Sequence, residues 1–191
     1  MKSVKGTRTE QNLLAAFAGE SQARNRYTYF ASVAKKEGYE QIAALFLETA
    51  DNEKEHAKRF FSYLEGGDVE ITATYPAGVV GSTAENLKAA AMGEHHEHTV
   101  LYPDAAKIAE EEGFKEIALL FTNIGKVEMH HEERYKRLLK TIEENSTFQK
   151  TAATEWKCRN CGYVHSGEGA PEKCPACLHP KSYFEVLCES Y

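Results

Sequence analysis

The stretch AKKEGYEQIAALF, residues 34–46, decides the fold because it returns 75 residues later as AEEEGFKEIALLF, residues 109–121. Each copy places residues of high helix propensity on both sides of a Glu-Gly pair, which interrupts a helix. The chain from 1 to 145 is therefore predicted to be a duplicated helical hairpin. Two hairpins predict an all-α four-helix bundle.

The two copies fall out of register by one residue in the first helix of each hairpin. Glu20 matches Glu94 at an offset of 74, whereas Tyr27 matches Tyr102 at an offset of 75. One extra residue therefore lies between Glu94 and Tyr102. A helix usually absorbs a single insertion as a π-bulge, and Pro103 marks the same neighbourhood as irregular. We predict a π-bulge in this segment.

The connection between the hairpins, GGDVEITATYPAGVVGS at residues 66–82, is long for antiparallel neighbouring helices. At roughly 3.3 Å per residue, an extended segment of this size can run the length of a helix of about 25 residues. The segment is therefore predicted to be a crossover that lets the third helix run parallel to the second.

Glutamates, and on two helices a histidine as well, interrupt the apolar stripe of every predicted helix. Steps of three and four residues define that stripe. The positions, from the first helix to the fourth, are Glu20; Glu53 and His56; Glu94 and Glu97; Glu128 and His131. One glutamate of each helix lies at nearly the same distance from its hairpin turn, at Gly38 or Gly113. The carboxylates should therefore meet at one level of the bundle.

Any one of these glutamates alone is readily explained as a solvated surface residue. Five carboxylates buried at one level would repel one another and lose hydration, which is costly unless cations neutralise them. Carboxylates with one imidazole per hairpin favour iron or manganese over the thiolate-rich sets of structural zinc. Glu-x-x-His on two helices, with a Glu from each of the others, is the dinuclear pattern of ferritin-like bundles.

Histidines near the stripe are predicted to have other roles. In the run EHHEH, residues 94–98, the two carboxylates lie on the stripe, whereas His95 and His96 point elsewhere and are predicted to be surface residues. His130 is also predicted to lie at the surface. His98 lies one turn after the first carboxylate. The sequence allows two roles for it, a surface position or contact with a metal ligand.

Charge and hydropathy exclude several classes of protein. The 191 residues carry a formal charge of −6, which argues against nucleic acid or an anionic membrane as partner. No apolar run is long enough to span a bilayer, and the start MKSVKGTRTEQ lacks the apolar region of a signal peptide. A cytoplasmic protein is expected.

All five cysteines follow residue 157. Two Cys-x-x-Cys knuckles, which are Cys158 with Cys161 and Cys174 with Cys177, predict one tetrathiolate metal site. Zinc or iron would fit, and zinc would make the segment a structural ribbon. The remaining Cys188 is predicted to be a free, partly buried thiol.

The change of composition after the bundle predicts two domains. The small and polar stretch at 146–155 is interpreted as a linker. It would join the bundle at 1–145 to a metal-binding domain at 156–191.

A carboxylate bundle followed by CxxCGY and CPxC resembles the rubrerythrin family over essentially the whole chain. The resemblance implies a ferritin-like di-iron bundle, a rubredoxin-like domain and three iron atoms per chain. It further implies a non-haem peroxidase that reduces hydrogen peroxide to water in oxidative stress defence. Electrons would come from a donor redox protein or reductase through the tetrathiolate iron. The expected assembly is a homodimer in which one subunit's rubredoxin-like domain approaches the other subunit's di-iron site.

The resemblance also assigns ligands to each metal. The di-iron ligands are Glu20, Glu53, His56, Glu94, Glu97, Glu128 and His131, with Glu53 and Glu128 bridging; those of the tail are Cys158, Cys161, Cys174 and Cys177. One departure is Leu178, which stands where simple rubredoxins have glycine. The loop between the knuckles is also shorter than theirs, so the redox potential of this site need not equal theirs.

Four residues are assigned catalytic roles. Glu97 has no counterpart in the first hairpin, where Ala23 is equivalent. We hypothesise that one iron binds Glu97 when oxidised and His56 when reduced, a behaviour that the resemblance also implies. Tyr27 and Tyr102 are predicted to hydrogen-bond to ligand carboxylates, with simple aromatic packing as the alternative.

A protein for iron storage, ferroxidase activity or iron buffering is the alternative function, since a ferritin-like bundle alone would suit it. The cysteine tail favours the enzyme. Storage needs no one-electron relay, whereas a peroxidase must be re-reduced after every turnover.

Overall fold

The computed structural model describes residues 2–189. It contains the helices α1 (Arg8–Lys36), α2 (Glu40–Phe61), α3 (Thr83–His96), α4 (Tyr102–Glu111) and α5 (Lys115–Glu143). A π-helical turn, Glu97–Leu101, connects α3 to α4 without a break, so the two form one long third helix. The predicted four-helix bundle and the predicted π-bulge are both confirmed.

The same turn closes both hairpins. Gly38 and Gly113 adopt φ values of 85° and 83°, which are left-handed conformations that glycine adopts without strain. Beyond them, Tyr39 N–H donates to Ala34 O at 2.8 Å, and Phe114 N–H donates to Ala109 at 2.7 Å. These bonds end each helix in a Schellman motif. The Glu-Gly pairs of the repeat therefore mark the turns.

Contacts at the two ends of α1 fix the direction of the third helix. Thr83 N–H, at the start of α3, donates to Glu37 at the end of α1, at 2.9 Å. At the opposite end, Thr9 N–H donates to Glu112 just after α4, also at 2.9 Å. The third helix is thus antiparallel to α1 and parallel to α2, as the long crossover predicts.

Two apolar clusters fill the bundle, one on each side of the glutamates. The first includes Phe30 and Phe46, and the second includes Phe60 and Phe121. All four of these rings are at most 2 % exposed. Along each helix the buried glutamate falls between residues of the two clusters. The carboxylates therefore occupy a polar layer sealed from above and below by packed rings.

The tail forms a small antiparallel sheet in the order β2-β1-β3, from β1 (Gln149–Cys158), β2 (Val164–Gly169) and β3 (Phe184–Val186). Trp156 and Phe184 form its core together with two of the cysteines.

Most of the stretch predicted as a linker, 146–155, belongs to strand β1. Its backbone pairs with β2, where Thr154 faces Gly167 and Glu155 faces Ser166. Just before the strand, Phe148 stacks on Tyr39 with ring centroids 6.1 Å apart, which attaches the tail to the bundle. Within residues 2–189, no helix is long and apolar enough to cross a membrane.

Candidate metal centres

The helices carry their stripe glutamates into the centre of the bundle. Glu20, Glu53, Glu94 and Glu128 are each at most 1 % exposed, and His131 is 4 % exposed. His56 and Glu97 are partly exposed. Burying four carboxylates in one layer requires compensating positive charge, because ionised groups lose their hydration there.

These side chains form two groups of four potential metal ligands. One group is Glu20, Glu53, His56 and Glu128, and the other is Glu53, Glu94, Glu128 and His131. Within each group the donor atoms lie within 4.8 Å of one another. We call them the Glu20 quartet and the Glu94 quartet. Glu53 and Glu128 belong to both, as bridging ligands would.

The contacts of the histidines show how the shared carboxylates are oriented. His56 Nδ1 lies 2.8 Å from Glu53 Oε2 and 3.0 Å from Glu128 Oε1. His131 Nδ1 lies 3.2 Å from Glu53 Oε1 and 2.8 Å from Glu128 Oε2. Each shared carboxylate therefore directs one oxygen to each quartet.

The two tyrosines hold the outer oxygens of the other carboxylates. Tyr27 on α1 donates its hydroxyl to Glu94 Oε1 at 2.5 Å, and Tyr102 on α4 donates to Glu20 Oε1. Both rings are buried. Helices one and three thus exchange equivalent hydrogen bonds, and the predicted contacts with ligand carboxylates are present in addition to aromatic packing.

The inner polar atoms of the quartets have no aligned hydrogen-bond partner within residues 2–189. They are Glu20 Oε2, Glu94 Oε2, both oxygens of Glu53 and of Glu128, and Nδ1 of His56 and His131. Buried polar atoms without partners are rare in folded proteins, and a bound ion is one of the recognised explanations. Oxygen donors with one imidazole per quartet suit two first-row cations such as iron or manganese. The residues therefore fit a dinuclear metal centre.

Electrostatics of the metal-free layer agree with this interpretation. Burial, and then the charges of Glu53 and Glu128, raise the pKa of Glu20 and of Glu94 well above the ordinary value. Burial opposes charge on His56, but its close contacts with the carboxylates of Glu128 and Glu53 outweigh burial and raise its pKa to about 10. The same balance raises the pKa of His131 to about 9. Without metal, protons provide the positive charge that cations would otherwise supply.

Glu97 lies in the π-helical turn and belongs to neither quartet. Burial, and then the charges of Glu128 and Glu53, raise its pKa to about 8, so it lies close enough to sense the bridging carboxylates. It also lines a cavity of about 450 Å³ whose walls include Gly19 and Ala23 and the crossover residues 72–76. The small residues at 19 and 23 leave space beside Glu97.

The four knuckle cysteines converge in the tail. Their sulfurs lie within 4.8 Å of one another, and neighbouring pairs are 3.8 Å apart (Cys158 and Cys177) and 3.6 Å apart (Cys161 and Cys174). A hydrogen bond from the backbone N–H of His179 lowers the pKa of Cys177 to about 6, which favours the thiolate that a metal requires. This geometry fits the predicted tetrathiolate site.

The turn after each knuckle contains a residue in the left-handed backbone conformation. Gly162 has φ of 79° and Leu178 has φ of 62°. Leu178, the departure from simple rubredoxins, therefore adopts a conformation that a glycine would adopt without strain, and its side chain is exposed.

The remaining predictions concern Cys188 and the histidines outside the quartets. Cys188 makes no disulfide, but the prediction that it is partly buried is wrong, because it follows the last strand and is exposed. His95, His96 and His130 are exposed as predicted. His98 is partly buried and contacts Glu132 rather than a quartet carboxylate, with Nε2 2.5 Å from Oε2.

Sequence reasoning missed Glu132, which is 5 % exposed and next to His131. Its equivalent in the first hairpin is Ala57. This departure from the repeat, like that of Glu97 from Ala23, is the signal that could have identified it.

Comparison with known proteins agrees with the geometry. Residues 11–139 match the family described as Rubrerythrin, and residues 156–185 match its rubredoxin-like domain. Rubrerythrin of Porphyromonas gingivalis is 64 % identical over 190 residues, which cover 100 % of this chain and 95 % of that protein. Rubrerythrin of Nitratidesulfovibrio vulgaris is 59 % identical, with 98 % of each chain covered. Among solved structures, fully reduced, all-ferrous nigerythrin aligns with a TM-score of 0.60 at 33 % identity, over 97 % of this chain and 92 % of that one.

Proposed function

Because the chain belongs to the rubrerythrin family, whose members are iron-binding oxidoreductases, we propose that it is a non-haem di-iron peroxidase. It would reduce hydrogen peroxide to two molecules of water, a step that consumes two electrons and two protons and breaks the O–O bond. Electrons would reach the bundle through a tetrathiolate iron in the tail, so that each chain holds three irons. The observation that carries this proposal is the pair of quartets sharing two bridging glutamates in a chain that also carries four converging thiolates.

The protein's own residues hold the site rigid. Glu53 and Glu128 would bridge the two metal positions, and the tyrosine hydroxyls fix the outer carboxylates on opposite sides. Two ferrous ions held there would supply the two electrons together. The flanking apolar clusters limit the contact of the layer with water, which strengthens the charge interactions within it.

Glu97 and His56 are proposed to alternate as the donor that completes the Glu20 quartet. His56 completes it in this structure, while Glu97 stands outside both quartets. A fifth carboxylate is favoured when the metals carry more positive charge, and a neutral imidazole when they carry less. The π-helical turn gives Glu97 a less regular backbone than an α-helix would. The cavity that Glu97 lines would give its side chain space to move and would give peroxide a route to the site.

The tail is proposed to receive electrons from a donor redox protein or reductase, with Cys161 at its exposed face. Association as a homodimer is supported by exposed apolar side chains that line one surface cavity, namely Val79, Val80 and Met92. In such a dimer, each tail would serve the partner's di-iron site. A reducing cytoplasm suits the unpaired thiols.

Iron content and peroxide consumption together test the function. Iron-loaded, reduced protein should consume peroxide under anaerobic conditions, Glu128→Ala should lose this activity, and His130→Ala, an exposed residue on the same helix, should retain it. The protein should hold about three irons per chain after aerobic loading, because each donor set accommodates a single ion. Accumulation of many more irons per chain, without peroxide consumption, would support storage instead.

A further inference from the structure

A third cluster of potential metal ligands lies outside the carboxylate layer and the cysteine site. His95, His98 and Glu132 bring their donor atoms within 4.8 Å of one another. His95 Nδ1 is 3.1 Å from Glu132 Oε1, and His98 Nε2 is 2.5 Å from Glu132 Oε2. The two imidazoles are three residues apart where α3 enters the π-helical turn, and their rings meet edge to face at 5.3 Å between centroids. The carboxylate comes from α5, so the cluster joins two helices.

Glu132 is the anchor of this cluster. It is 95 % buried, yet in the described part of the chain no donor makes an aligned hydrogen bond with its Oε1. Lys136, one turn later on α5, pairs with the same oxygen, but its side chain is 61 % exposed. Ion pairs of such exposed lysines contribute little and are easily exchanged. A divalent cation would replace a weak partner with a stronger one.

The chemistry of the donor set defines which cation fits. Two imidazoles and one carboxylate are the protein ligands of open zinc sites, in which water takes the remaining position. His95 lies on the exposed side of the cluster, so the open position faces solvent. We infer that His95, His98 and Glu132 form a mononuclear zinc site, separate from the di-iron and tetrathiolate sites.

The repeat supports a specific origin for this site. The first hairpin has Ser21, Arg24 and Ala57 at the three equivalent positions, none of which is a good ligand for such an ion. The cluster therefore belongs to the hairpin that carries the extra residue and Glu97. Each of its members is the chain neighbour of a residue assigned to the di-iron site, namely Glu94, Glu97 or His131, but lies on the adjacent helix face.

Zinc titration of the iron-loaded protein tests the inference. Calorimetry should detect one more Zn²⁺ per chain in the wild type than in His95→Ala, while the iron content of both stays the same. His98→Ala should weaken zinc binding at least by the roughly 10–100-fold that loss of a supporting group typically costs a metal site. The matched control is His96→Ala, an exposed histidine of the same run, and it should bind zinc like the wild type.

Two further measurements test the same site. Lys136→Ala removes the competing ammonium and should tighten zinc binding by up to about fivefold. Anomalous diffraction at the zinc edge should show a peak among the three side chains. Equal zinc binding by wild type and His95→Ala, weaker binding by Lys136→Ala, or zinc found only in place of iron would each overturn the inference. Because His95 is exposed, its replacement should leave the fold and the circular dichroism spectrum unchanged.

Discussion

Removing either tyrosine hydroxyl should loosen one ligand carboxylate. Tyr27 and Glu94 are each 1 % exposed, so no bulk water replaces the hydrogen bond in Tyr27→Phe. A buried hydrogen bond to a charged group is worth about 1.5–3 kcal/mol. For a chain of 150–250 residues, each kcal/mol corresponds to about 2–4 °C in the unfolding midpoint. A loss of about 2 kcal/mol therefore predicts a midpoint lowered by about 4–8 °C.

Thermal unfolding of the iron-loaded protein, followed by helical circular dichroism, measures this effect. Tyr102→Phe, which frees Glu20 on the opposite side, should lose a similar amount. The matched control is Tyr29→Phe, because Tyr29 lies on the same helix as Tyr27 but its side chain is exposed. The control should lose little stability and keep the di-iron spectrum, whereas the other two variants should alter that spectrum and slow reaction with peroxide. If all three variants behave alike, Tyr27 and Tyr102 are only packing residues, and their hydrogen bonds do not hold the carboxylates.

Three further predictions concern protons, backbone conformation and redox state. The pKa of His56 is about 10 and that of His131 about 9 in the metal-free protein, and the pKa values of Glu20 and Glu94 are also raised. Iron binding at pH 7 should therefore release at least the two imidazole protons, and affinity should rise with pH. Calorimetry in two buffers of different ionisation enthalpy counts the released protons, and release of none would contradict the electrostatics. Leu178→Gly should stabilise the tail by about 1 kcal/mol, because Leu178 has a left-handed backbone conformation at φ 62° and its side chain is exposed. Chelators should then extract the tail metal more slowly. Faster extraction would argue against backbone strain at this position. Crystals of the diferric and diferrous protein, with the oxidation state checked by spectroscopy in the beam, should show Glu97 bound in the first and His56 in the second, whereas identical contacts in both states would exclude the exchange.

The bundle was predictable because its signals are local and repeated. The Glu-Gly turns recur at the same offset, and the conformations of Gly38 and Gly113 explain why glycine is needed there. Counting residues between Glu94 and Tyr102 located the π-helical turn. Both residues match the first hairpin and lie on the buried face, so the helix must accommodate the one extra residue between them. The carboxylate layer followed from helical periodicity and from the similar distance of each glutamate to its hairpin turn.

Features that depend on distant partners escaped prediction. Residues 149–155 form a strand only because β2 lies beside them, and their Ala and Thr side chains carry no clear alternation. The contact of His98 with Glu132 depends on how the π-helical turn rotates α3 against α5, which periodicity does not specify. Burial of Cys188 was mispredicted because a single cysteine beyond the last strand has no pattern that shows whether anything packs on it.

The most direct test of the central claim is anaerobic stopped-flow spectroscopy of the fully reduced, iron-loaded protein mixed with one equivalent of hydrogen peroxide. The di-iron absorption should return first, and the tetrathiolate iron should then reoxidise as its electron passes to the bundle. In Cys161→Ser, which removes a tail ligand but leaves both quartets intact, the first phase should persist and the transfer should be lost. A wild-type tail that stays ferrous after the di-iron site has been oxidised would contradict the relay, and a di-iron site that does not react with peroxide would contradict the function.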